Sequence, residues 1–167
     1  MTLRFIIALQ FIPFLALSSF ADGPPTVPPA HAESARRATA AFVRGDFSEA
    51  ERTYEAILAD VPDNLFALSN LGVIRFRVGK LKQAEETFHR AVANTPGDEF
   101  CQCTLGIVLY ARGKNDEAVT ALTKALSINP KNATAREYLH TIASPKVVEG
   151  KQGDFRTPLE KSRLDPP

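Results

Sequence analysis

The sequence predicts an all-α protein built of stacked helical hairpins, and three observations lead to that fold class. Gly45, Gly79 and Gly113 stand 34 residues apart, and Ala50, Ala84 and Ala118 keep the same step. Larger side chains repeat in the same register: Tyr54, Phe88 and Leu122, and likewise Phe42, Phe76 and Tyr110. Pro62, Pro96 and Pro130 close the three units in turn. Repetition at such a period marks supersecondary units that cannot bury their apolar faces alone and therefore stack.

The elements follow in chain order. Residues 1–21 begin with the charged "MTLR", continue with the apolar run Phe5 to Leu17, and end on small residues at Ser19 and Ala21. That order is the order of a secretory signal peptide cleaved after Ala21. The alternative, an uncleaved membrane anchor, is disfavoured because Gln10 and Pro13 interrupt an already short run. The region has no cysteine for a lipid anchor. Residues 22–30 carry Pro24, Pro25, Pro28 and Pro29, the composition of an extended linker.

Three hairpin units are placed at 31–64, 65–98 and 99–132. In the second, Leu68, Leu71, Val73, Ile74 and Phe76 follow a helical spacing, and Gly79 allows the turn. Ala84, Phe88, Ala91 and Val92 make the stripe of the following helix, and Pro96 disfavours helix at Thr95. Gly72, Gly106, Ala84 and Ala118 are the small residues that let paired helices approach closely. Residues 133–143 form one more amphipathic helix, in which Tyr138, Leu139 and Ile142 can cover the last unit. Residues 144–167 mix Gly, Pro and both charges without a period and are expected to be a disordered tail.

The spacing, the Leu-Gly pairs in "NLG" and "TLG", the Ala-x-x-x-Phe of the second unit and the closing prolines resemble the tetratricopeptide repeat (TPR) family. The resemblance implies an α-solenoid of three helix-turn-helix repeats, with residues 133–143 as the capping helix. The first unit departs from the pattern, with Arg36-Arg37-Ala38 where Asn-Leu-Gly is expected. Terminal repeats are commonly atypical, having no neighbour on one side.

Charge and composition narrow the function. Twenty basic against nineteen acidic residues give a net charge of +1, with no basic stripe for nucleic acid. Two cysteines do not make a disulfide-dense scaffold. Cys101 and Cys103 lie two residues apart on one helix, so their side chains diverge by about 200° and suit neither a mutual disulfide nor one shared metal ion. Cys101 shares a stripe with Leu105 and Val108 and is expected to pack. Cys103 shares a stripe with Ile107 and Tyr110 facing the hollow, as a small groove residue, a reactive thiol or a partner in an intermolecular disulfide. His31, His89 and His140 show no metal-ligand spacing. Nor is there a nucleophile turn or a phosphate-binding loop. Asn132-Ala-Thr fits a glycosylation sequon in a turn expected to be exposed, and is read as incidental.

The resemblance further implies that first helices line a concave groove where peptides bind. The residues mapped onto that groove are Thr39 and Phe42 of unit one; Phe66, Ser69, Asn70, Val73, Phe76 and Arg77 of unit two; and Phe100, Cys103, Ile107 and Tyr110 of unit three. Aromatic groups suit peptide recognition, offering large contact area with few rotors to freeze. Phe42, Phe76 and Tyr110 recur in every unit and could equally be core. One subclass of the family grips C-terminal carboxylates with two lysines and two asparagines. Asn70 matches one asparagine, but Ala35 and Thr39 replace a lysine and the other. The expectation is an exported, periplasmic or secreted, non-catalytic interaction module without cofactor or metal. It would bind a protein or peptide partner, with no nucleic acid and no stable membrane insertion. The alternatives are a self-associating structural component, a homo-oligomer of an envelope or extracellular assembly, and a thiol enzyme using Cys103.

Overall fold

A computed structural model describes residues 28–144; the expected signal peptide, most of the expected linker and the expected tail beyond Ser144 lie outside the described residues. Pro29–His31 form a short 3-10 turn, so the linker gives way to helical structure slightly before unit one. Seven α-helices follow: α1 Ala32–Arg44, α2 Phe47–Asp60, α3 Leu65–Arg77, α4 Leu81–Asn94, α5 Glu99–Ala111, α6 Asn115–Ile128 and α7 Ala133–Ala143.

Local chemistry sets these boundaries. The side chains of Asp46, Asn64, Asp98 and Asn132 accept the backbone N–H three residues on and so cap α2, α3, α5 and α7. Gly45, Gly79 and Gly113 turn the chain between paired helices at φ of 82°, 80° and 78°, a conformation that side chains with a Cβ rarely adopt. Val61, Thr95 and Asn129, each preceding a proline, leave the helical region and end α2, α4 and α6.

Paired helices pack as α1 on α2, α3 on α4 and α5 on α6, and the pairs stack through α2 on α3, α4 on α5 and α6 on α7. The first helices also approach one another, α3 on α5 and α5 on α7, more closely than the second helices do. The first-helix layer is therefore the tighter, inner one. Tyr54, Phe88 and Leu122, one per unit, are fully buried between the layers. A Cβ on Gly72 would lie 2.6 Å from the Phe88 ring, and one on Gly106 would lie 2.6 Å from Leu122 Cγ. The small residues thus set the interhelical spacing, as their positions in the sequence predict.

Polar contacts tie units together in the same register. Lys80 Nζ reaches Glu51 Oε2 at 2.7 Å, and 34 residues on Lys114 Nζ reaches Glu85 Oε1 at 3.0 Å. Arg75 adds Glu51 at 3.3 Å and Glu55 at 2.6 Å, and Arg112 adds a second contact to Glu85. The series stops at both ends, because Asp46 stands where the preceding lysine would be and Val119 where the next glutamate would be.

Candidate functional site

The inner layer carries the predicted groove residues, and their neighbours decide which of them can be touched. Phe66, Val73, Phe76, Cys103 and Ile107 are buried and belong to the core instead. The Phe66 ring packs edge-on against Tyr54, with centroids 5.9 Å apart. It is a packing residue and not the spare anchor that its column suggests.

Cys103 departs from expectation for a related reason. α4, α6 and α7 all pack on α5, so its run from Cys101 to Leu109 is buried throughout. Cys103 Sγ lies 3.9 Å from Asn132 Oδ1, at the start of α7. Burial pushes its thiol up to about 11. Burial, reinforced by Asp98, raises Cys101 further still. Burial and a raised thiol both speak against the reactive-thiolate reading of Cys103.

Seven predicted residues stay half-exposed: Thr39, Phe42, Ser69, Asn70, Arg77, Phe100 and Tyr110. The Thr39 hydroxyl donates to Ala35 O at 2.9 Å, so the 3.0 Å contact with Tyr54 is made by the tyrosine O–H as donor. Burial is the main reason that the Tyr54 hydroxyl is raised to about 12. Ser69 Oγ and Asn70 Nδ2 both donate to Phe66 O, at 3.0 and 2.8 Å. The Arg77 guanidinium stands over the Phe42 ring, 5.6 Å from its centroid. Its Nε is buried and has no hydrogen-bond partner among the described residues. Tyr110 sets its ring edge-on to Tyr138 of α7 at 5.7 Å. The open part of the layer is therefore aromatic at both ends, amide and hydroxyl in the middle, with Arg77 as its cation.

Two family models match this chain, one described as a tetratricopeptide repeat over residues 36–99 and one as a TPR repeat over residues 106–142. The chain is a tetratricopeptide repeat protein. No curated protein matches it. Among solved structures, the first TPR of Spaghetti (RPAP3) bound to the HSP90 peptide SRMEEVD is 24% identical with a TM-score of 0.67, covering 72% of this chain and 97% of that one. The Arabidopsis OM64 TPR domain is 17% identical with a TM-score of 0.64, covering 66% and 92%. Both share the fold alone. A Thermobaculum terrenum O-GlcNAc transferase mutant is 30% identical with a TM-score of 0.63, yet the alignment spans 70% of this chain and only 22% of the transferase.

Two further groups in this TPR array bear on chemistry. Glu85, His89 and Glu117 bring donor atoms within 4.8 Å of one another, a cluster that sequence spacing missed because Glu117 comes from the next unit. Its carboxylates already serve cations. Burial would raise Glu85, but Lys114 and Arg112 together hold it below its ordinary value, and Lys114 also bonds Glu117. The sequon residue Asn132 is half-buried, caps α7 through Oδ1 and donates its amide to Glu99. A glycan on that nitrogen would leave it a single N–H and crowd the contact with Glu99.

Proposed function

We propose that this TPR protein is an exported, non-catalytic interaction module that holds a peptide segment of a partner against its first-helix layer. The observation that carries the reading is the run of half-exposed groups on α1, α3 and α5, from Phe42 with Arg77 through Ser69 and Asn70 to Phe100 and Tyr110. Rigid aromatic groups flanking amides and hydroxyls suit an extended or helical peptide with apolar anchors. Carboxylate-tail recognition through the two-lysine clamp is not part of the proposal. Ala35, at a clamp lysine position, is fully buried, and Thr39 spends its hydroxyl inside the fold.

Export rests on the leader at residues 1–21, and mass spectrometry of the protein from its own host tests it. A mature chain starting at Asp22 supports export; an intact Met1 terminus contradicts it. The groove is tested by partner capture with the full chain and with Phe100→Ala/Tyr110→Ala, whose rings lie at the rim of the core. Loss of capture with retained helicity supports the groove; undiminished capture contradicts it. Light scattering on the purified chain addresses the structural alternative, which a stable homo-oligomer without added partner would favour.

A further inference from the structure

A second recess lies on the side of unit one that no described helix covers, away from the layer just described. A cleft of about 270 Å³ there is lined by Ser34 and Arg37 of α1 and by Arg52 of α2. Its place in the register explains why it is open. Ser34 and Arg37 occupy the positions that Leu68 and Leu71 hold in α3. Those leucines are buried on the stripe that also carries Arg75, whose guanidinium reaches Glu51 and Glu55 of α2. In unit two this seat is taken by the second helix of the preceding unit. In unit one no described helix fills it, and its lining has changed from leucine to hydroxyl and guanidinium.

A polar edge alone would end an array. The arginines go further than that. Of the nine arginines among the described residues, Arg36, Arg44, Arg75 and Arg112 pair with carboxylates. Arg90 and Arg136 donate to the carbonyls of Pro62 and Pro130, and Arg77 stands over Phe42. Arg37 and Arg52 are the two without a carboxylate, carbonyl or ring partner among the described residues, and both line this cleft. The one acidic lining residue, Asp60, stands 3.8 Å from His31 Nε2. Beneath them Ile57 and Thr53 form a buried floor.

We propose that this cleft is an anion site that takes a small ligand bearing a carboxylate or phosphate group. Arg37 and Arg52 line it from two helices and each carries a forked set of donors of the kind that pairs with an oxyanion, and the Ser34 hydroxyl can add another donor. The volume is near the lower end for small-molecule pockets, about 300 Å³, so the site suits a compact anion with a short apolar stem on Ile57. The proposal is independent of the groove, which lies on a different face of α1.

The test is an NMR titration of the full mature chain, following the arginine Nε–H signals at fixed ionic strength. Sodium phosphate and sodium succinate are added separately, with sodium chloride as the balance. The Arg37 and Arg52 signals are expected to shift together and saturate with at least one of the two anions. The anion that saturates tells phosphate chemistry from carboxylate chemistry. Arg37→Gln and Arg52→Gln should each weaken that binding by about tenfold or more. Arg136→Gln, at the far end of the array, should leave it unchanged. Both cleft arginines are exposed, so the variants are expected to keep the wild-type melting temperature. Unsaturated drift of all arginine signals with both anions would overturn the proposal. So would binding of equal strength in the Arg37→Gln/Arg52→Gln double variant.

Discussion

Gly106, like Gly72, stands where paired helices leave no room for a side chain. An added Cβ would meet Leu122 Cγ at 2.6 Å and the backbone oxygen of Ala118 at 3.2 Å, and a backbone oxygen cannot swing aside. Gly106→Leu is expected to lower stability by about 3 kcal/mol or more, since overpacking a filled core commonly costs 1–3 for smaller intrusions. Urea denaturation checks it, and an unchanged midpoint would mean that α5 and α6 do not meet at this register. Unit one carries Ala38 at the equivalent position, fully buried, so one methyl can be accommodated when its surroundings are built for it. The cysteines form a second residue-scale test. With both thiols raised by burial, maleimide at pH 7.5 should label neither at the rate of an exposed thiol, and Cys103 should lead Cys101 only after local opening.

At the scale of elements, α7 is the lid of unit three. Its Asn132 caps the helix and faces Cys103, and Tyr138 stacks edge-on against Tyr110. Tyr138→Ala should loosen α7 and speed Cys103 labelling while Cys101 stays protected, as mass spectrometry of the labelled peptide would report. Equal acceleration of both would indicate unfolding of α5 as a whole. The joint between α4 and α5–α6 depends on Glu85. Its carboxyl is depressed in the folded protein, so the stability it contributes is present above the ordinary value of 4.5 and is lost as pH falls through the lower native value. Glu85→Gln should therefore cost about 1 kcal/mol or more at pH 7 and flatten the loss of stability below pH 4.5. Thermal melts between pH 3 and 7 compare the two, and parallel curves would assign the acid sensitivity elsewhere.

Across the whole molecule, the glycine, alanine and proline columns made the helical hairpins legible because each column answers a local demand: a positive φ, a close helix approach, a residue that cannot continue a helix. Accessibility was not legible in the same way. Phe66 and Cys103 sit at positions that a single hairpin would leave open, and they are buried because α2 brings Tyr54 against one and α7 covers the other. Likewise, nothing in the local sequence distinguishes Arg37 and Arg52 from the paired arginines. Their isolation goes with their place on the side of unit one that no described helix covers. Because the units share their core, heat should unfold the array in one cooperative step, with calorimetric and van't Hoff enthalpies in agreement.

The central claim is that partners are held on the inner, first-helix layer, and site-specific photo-crosslinking tests it most directly. A photoreactive phenylalanine at Phe100 samples the inner layer, and one at Val119, exposed on α6, samples the outer layer. In the native compartment, position 100 should give a discrete crosslinked partner that position 119 does not. Crosslinks from position 119 alone would contradict the claim and place the partner on the second-helix layer.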